Sequence, residues 1–265
     1  MAKSLLFPVL VLISLAPATL LAVRGRLQGA AFIASLVLAV LGPVAWAAYQ
    51  TGPGWQTGFS AALWVTIAVT MGLYAVLALF NQPLCRLAPL LLPYLMVLGA
   101  VALFWGQAPS QPLSGGAPSP WLAVHIGVSV LTYALLTLSA TAAVAVFLRE
   151  RALKRKVAGG FSRHLPSVAD GEHLELRLLA AAELVLLLGV VTGMANEYLS
   201  SGTVLRLDHK TLLVVAAFVV IGVLLIAHQA TGVRGRRAAR VVLVGYMLVT
   251  LAYPGVKFVT DVLMS

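Results

Sequence analysis

Two histidines, His125 and His209, stand near matching ends of two apolar stretches in this 265-residue chain. An imidazole at a membrane face is costly to leave without a partner, so ionisable groups there usually bind something. Paired imidazoles suit a transition metal or the iron of a porphyrin. His125 also opens a patterned face. His125, Ser129, Thr132, Tyr133 and Thr137 recur at i, i+4, i+7, i+8 and i+12, the spacing of one side of a helix. In a membrane that side must turn inward, because lipid offers polar groups no partner. The same pattern fits a hydrogen-bonded interfacial histidine with no ligand.

His209 sits in the polar run Asp208–His209–Lys210–Thr211, where Asp208 has the chemistry of a helix N-cap. His228 follows His209 by 19 residues, which is roughly 28 Å of helix. That length places one imidazole at each face of a hydrocarbon core about 30 Å thick. Glu183 is the one acid read as lying well inside a span; it needs a counter-charge, a proton or a water path. Lys257 and Asp261 form an i, i+4 pair on the last stretch, and Lys257 and Lys210 are the cations available to an acidic ligand. Nothing in the chain matches a phosphate-binding loop, HExxH or GxSxG motif. The lone Cys85 excludes an internal disulfide, iron–sulfur ligation and a C-x-x-C-H haem attachment.

The elements that must position these residues follow from composition. Hydrophobic residues make up 61% and charged residues 10% of the chain, which excludes a soluble globule. A spanning helix takes about 20 apolar residues. The sequence predicts eight, over 4–23, 30–49, 59–80, 87–105, 121–148, 176–196, 210–230 and 241–264. The expected fold is therefore an all-α polytopic membrane bundle forming one membrane body over 1–265. It comprises a four-helix half (1–105), an outer linker (106–120) and a second four-helix half (121–265). The linker GQAPSQPLSGGAPSP holds four Pro, three Gly and three Ser. Pro89 and Pro93 should bend the fourth span and Pro254 the last. The 149–163 run should extend the fifth helix and break at Gly159–Gly160.

The net charge of +10 is a topology signal and does not point to nucleic acid. Of the 18 Lys and Arg, all but Lys3, Arg206, Lys210 and Lys257 fall in connections on one side. The positive-inside rule makes that side cytoplasmic and puts both termini outside, with anionic-lipid contact a lesser role for the same charges. The length of the first stretch and the Arg24 and Arg26 behind it fit a retained span rather than a signal peptide. All five tryptophans (Trp46, Trp55, Trp64, Trp105 and Trp121) then fall on the outer side. An interfacial aromatic belt accounts for them; an apolar platform for a planar ligand is the sharper reading.

The second half resembles the integral-membrane cytochrome c assembly family, the CcsA/CcmC/HemX group, and within it the short YpjD-type members. The resemblance is carried by WLAVHIGVSVLTYALL, GMANE, LDHKT and AHQATGVRGRRAARVVLVGYMLVTLAYPGVKFV, a little over a third of the chain. It implies a bacterial inner-membrane protein that handles haem beside other cytochrome c assembly proteins. By motif position His125 matches the family's first outer histidine and His228 its intramembrane histidine. Asn196 and Glu197 match the start of the tryptophan-rich W-G-x-x-W-x-W-D segment, and Asp208 and Lys210 its D-x-K close. The sequence departs from the pattern because 198–207 holds no tryptophan, and Ser265 precedes the place of the second outer histidine. The expectation is haem held at the outer face by His125 and His209, with Trp121 and Lys210 shaping the pocket and His228 an inner way-station. The role expected is that of an accessory rather than a complete lyase. A cofactor-free transporter or scaffold on the same fold is the competing expectation.

Overall fold

The computed structural model describes residues 2–51, 58–107, 119–156, 160–203 and 208–263. Among them the helices are α1 (Ala2–Val23), α2 (Ala30–Gln50), α3 (Phe59–Phe80), a single turn α4 (Gln82–Cys85), α5 (Ala88–Phe104), α6 (Pro120–Lys154), α7 (Val168–Ser201), α8 (His209–Thr231) and α9 (Arg236–Thr250). Beyond α9 the chain stays helical to Leu263. It loosens into wider π-type turns at Leu251–Gly255 and Val259–Leu263. Pro254 lies in the first of these; it has no N–H for the α-helical ladder. Trp55, Gly159 and most of the 106–120 linker lie outside the described residues.

Seven described helical stretches are long and apolar enough to cross a membrane: Leu6–Val23, Ala30–Gln50, Phe59–Phe80, Pro120–Lys154, Val168–Leu199, His209–Thr231 and Arg236–Val262. The fourth expected span, 87–105, is shorter by one residue at each end. It is the 17-residue α5, roughly 25 Å long at 1.5 Å per residue, short of the hydrocarbon thickness. The residues ahead of it turn inside the protein, where Leu84 and Leu87 are fully buried. Backbone at that depth is tolerated because protein rather than lipid surrounds it.

Two other boundaries move. Helix α6 ends at Lys154, short of Gly159–Gly160. Five basic residues crowd positions 149–156, and Lys156 takes a left-handed φ of 54° that a helix cannot continue. Helix α7 starts at Val168 rather than 176, because the Ser167 hydroxyl accepts the Asp170 N–H and caps it. The two extra turns carry Glu175 into the interior, 1% exposed, so Glu183 is not the only acid inside a span.

Helix α6 is the axis of the bundle and packs against α3, α7 and α9. Its Tyr133, Leu136, Leu138, Ala142 and Ala143 are buried. The N-terminal hairpin α1–α2 packs onto α3 and α5. Large apolar side chains left exposed, such as Phe7, Ile33, Leu79, Leu184 and Ile226, face outward where lipid would lie.

The basic connections gather at one end. Gly25 lies against the His164 ring, Arg149 donates to the Ser162 carbonyl, and Gly235 lies against the Glu150 and Glu172 carboxylates. The other end is closed by Phe59, Trp105 and Phe258 in edge-to-face contact, with centroids 5.3–6.3 Å apart.

Candidate functional site

Helices α6, α7 and α8 enclose a cleft of about 290 Å³ at the end opposite the basic loops. His125, one and a half turns into α6, forms one wall. Gly193, Met194, Asn196 and Glu197 come from the last turns of α7. Asp208, Lys210 and Thr211 come from the mouth of α8, with Val214 and Val215 deeper. The cleft is thus charged at its rim and apolar at its floor.

The His125 ring is oriented by α7. Its Nδ1 lies 3.2 Å from Thr192 Oγ1. The Thr192 hydroxyl already donates to the Leu188 carbonyl at 2.8 Å, as a threonine in mid-helix commonly does. Thr192 must therefore accept, and His125 donates from Nδ1–H. Nε2 is left with its lone pair, the form in which a neutral imidazole ligates a metal. Gly193 makes the approach possible, since a Cβ there would stand 3.0 Å from His125 Cε1.

The mouth of α8 is built by its cap. Asp208 accepts the Thr211 N–H at 2.9 Å. That bond, the Thr211 hydroxyl and the charges of Lys210 and His209 hold the Asp208 carboxyl below its usual range. An anionic cap beside the Lys210 ammonium also suits the positive end of the helix dipole.

The expected residues are brought together only in part. His125 and Lys210 share the cleft. His209, the first residue of α8, is exposed and outside the cleft wall. Trp121 opens α6, 51% exposed, and it too lies outside the wall. His228 is at the basic end. Its Nδ1 donates to the Val233 carbonyl at 2.8 Å, so it ties the end of α8 to the following loop. Lys257 lies outside the cleft. Trp64, expected in an interfacial belt, is fully buried in α3. Of the 198–207 stretch, 204–207 lie outside the described residues.

Gly193 and Met194 in the cleft wall carry no site role in the sequence reading, nor does Thr192, which lies behind it against the His125 ring. Gly193 and Met194 stand in the sequence as the start of the GMANE piece, with no role attached. The Met194 thioether is a second potential iron ligand in the same wall. Among the described residues no group of three or more His, Cys, Asp or Glu side chains could hold a bare metal ion. Haem is a different demand: its iron carries four porphyrin nitrogens and asks the protein only for axial ligands. The free Nε2 of His125, the apolar floor and the Lys210 cation fit that demand. Sites that enclose whole ligands run roughly 300–1,000 Å³, so a cleft of about 290 Å³ is too small to enclose a whole porphyrin.

Fold and cleft together define a multi-pass helical membrane protein with a small polar–apolar cleft at one face. The profile of the cytochrome c assembly protein family matches residues 55–264, and the chain belongs to that family. An uncharacterized 28.8 kDa protein of Azospirillum brasilense is 51% identical over 272 residues, covering both chains fully. The inner membrane protein YpjD of Escherichia coli K12 is 28% identical over 177 residues, 67% of this chain and 65% of that protein. A cytochrome c biogenesis protein CcsA of Parasynechococcus marenigrum is 28% identical over 190 residues, 61% of this chain and 62% of that protein. No solved structure matches. The protein is thus a multi-pass inner-membrane member of a family with a general role in cytochrome c biogenesis.

Proposed function

We propose that this protein binds or hands on haem during cytochrome c assembly, as an accessory rather than a complete lyase, and that the α6–α7–α8 cleft receives the haem. The observation that carries the reading is the His125 ring, pinned through Nδ1 to Thr192 with Nε2 left free. Assigning the basic end to the cytoplasm by the positive-inside rule turns the cleft and both termini outward. His125 would hold the haem iron through its free Nε2. The second position goes to His209, one residue from both Asp208 and Lys210 of the rim, with Met194 in the wall as its rival. Lys210 neutralises a propionate and Trp121 flanks the opening. His228, at the far end of α8, is a separate inner station and no part of the cleft.

The test is an oxidised-minus-reduced absorption spectrum of protein purified from haem-replete membranes, with His125→Ala, His209→Ala and Met194→Leu alongside. A low-spin haem signal is expected in the wild type and lost in His125→Ala. Loss in His209→Ala, with no change in Met194→Leu, identifies a bis-imidazole centre. The converse identifies a histidine–methionine pair, which raises the midpoint potential. A signal undiminished in His125→Ala overturns the site. The competing reading, a cofactor-free transporter or scaffold, draws on Glu183. Its Oε2 is buried and lacks a hydrogen-bond partner among the described residues. That reading calls for haem-free protein and for solute flux that Glu183→Gln impairs.

A further inference from the structure

A second polar site lies deeper in the bundle and is independent of the haem reading. Tyr94 of α5, Tyr133 of α6 and Tyr246 of α9 meet through their hydroxyls. Tyr94 Oη bonds Tyr246 Oη, Tyr246 bonds Tyr133 at 3.1 Å, and Tyr133 bonds Thr250 Oγ1 at 3.3 Å. Tyr133 is 13 residues into α6, roughly 20 Å from its start, so the cluster is near mid-membrane. Tyr133 and Thr137 are 1% and 2% exposed. The α5 and α9 backbones hardly approach one another, and the Tyr94–Tyr246 pair bridges them. Beside that pair is an open-sided cavity of about 250 Å³ whose lining includes both tyrosines, Thr137, Thr141 and Ala140.

Proton accounting gives this chain of hydroxyls a direction. Thr250 spends its proton on the Tyr246 carbonyl at 2.8 Å. Tyr133 must therefore donate to Thr250. Tyr246 then donates to Tyr133, and Tyr94 donates to Tyr246. Thr137 gives its proton to the Tyr133 carbonyl at 2.8 Å, shared with Tyr246 Oη at 3.3 Å. Tyr246 Oη, with two donors and one acceptor, is saturated. Tyr94 Oη donates once and, among the described hydrogen bonds, accepts nothing. A hydroxyl oxygen at membrane depth that keeps its lone pairs is an acceptor that a ligand's hydroxyl can use.

We propose that this cavity binds a membrane-soluble molecule with a hydroxyl head group, which donates to Tyr94 Oη while its apolar tail leaves between α5 and α9. The cavity is smaller than sites that enclose whole ligands, so only the head is held. A quinol and a diglyceride both carry the required chemistry; a quinone, which has carbonyl acceptors and no hydroxyl donor on its ring, does not.

The experiment is an equilibrium titration of the full chain in phosphatidylcholine nanodiscs with three probes under argon: decylubiquinol, decylubiquinone and 1,2-dioctanoylglycerol. At least one hydroxyl probe should bind better than decylubiquinone. Tyr94→Phe, which keeps the ring, should weaken that probe about fivefold to tenfold, the worth of one hydrogen bond, and leave decylubiquinone unchanged. Ala140→Leu, which fills the cavity without touching a hydroxyl, should reduce binding of the same probe. Binding of decylubiquinol alone names a quinol as the ligand, and binding of dioctanoylglycerol alone names a lipid alcohol. Failure of both hydroxyl probes to exceed decylubiquinone in the wild type overturns the proposal without reference to any variant. Equal affinity in wild type and Tyr94→Phe does the same.

Discussion

Helix α7 faces two neighbours in different ways. Against α6 it packs along its length: Gly171 meets Val146, Glu175 offers its carbonyl to Ser139 at 2.9 Å, Gly189 meets Val128, and Gly193 meets His125. Against α8 it is looser. That seam opens into the cleft at one end, and deeper in the membrane it holds the Glu183 carboxyl against Gly222. Small residues let membrane helices close on one another. Where the contact is dense, α7 is a structural partner of α6; where it is slack, there is room for a ligand. The tight seam also aims the one imidazole that the slack seam exposes.

The largest expected effect tests the tight seam. A Cβ on Gly171 would stand 2.7 Å from Val146 Cγ2, a branch of a stiff side chain that is 1% exposed. Helix propensity alone favours Gly→Ala by about 1 kcal/mol, but overpacking a dense contact costs about 1–3 kcal/mol. Gly171→Ala should therefore lower the thermal unfolding midpoint in detergent, and an unchanged or raised midpoint would show that α6 and α7 can part there. Thr192→Val tests how that seam serves the cleft. It keeps the shape of the side chain and removes the acceptor of His125 Nδ1–H. Losing the group that orients a ligating histidine costs about 10–100-fold in affinity. Haem retention should fall by that factor with the unfolding midpoint nearly unmoved. If retention is unchanged, α7 does not aim the ring.

The same asymmetry explains what the sequence disclosed. The polar face of α6 was legible because His125, Ser129, Thr132, Tyr133 and Thr137 repeat at helical spacing. Ser129, Thr132 and Thr137 then prove to bond carbonyls of their own helix, while His125, Tyr133 and, by a shared proton, Thr137 reach neighbours. The helix-cap chemistry of Asp208 was readable in the run it begins, and it holds. Thr192, Gly193 and Met194 were not readable as a site, because they gain meaning only when α6 and α8 are set beside them. Glu175 was missed because Glu172, Glu175 and Arg177 make the start of α7 look like a loop. The Ser167-x-x-Asp170 pattern was the available signal that the helix begins earlier. The fourth span, read as 87–105, is the helix Ala88–Phe104, one residue shorter at each end and at the low end of spanning lengths.

Asp208 gives a smaller effect, at the mouth of the slack seam. Capping residues are worth about 0.5–2 kcal/mol to a helix end, so Asp208→Ala should fray the first turn of α8. Amide hydrogen exchange at Thr211 should quicken more than exchange in α6. The pH dependence has a fixed sign. The Asp208 carboxyl is held below its usual value, so its contribution is fully present above the ordinary carboxylate range and is lost as pH falls through the depressed folded value. Protection at Thr211 that is independent of pH across that acid range, in the wild type, would mean the cap is not carried by the carboxylate.

The smallest expected effect completes the comparison, because it repeats the first substitution on the other seam. A Cβ on Gly222 would stand 3.1 Å from Glu183 Oε1, close enough that the carboxyl must shift by a few tenths of an ångström. The obstacle is the far end of a flexible side chain whose other oxygen has no hydrogen-bond partner among the described residues, so no bond has to break for it to turn aside. Gly222→Ala should keep the propensity gain and leave the unfolding midpoint level or slightly raised, opposite in sign to Gly171→Ala. A clear fall would mean that Glu183 is pinned where it lies, by a proton or ion shared across the α7–α8 seam. The carboxylate would then belong to a working site and not to loose packing.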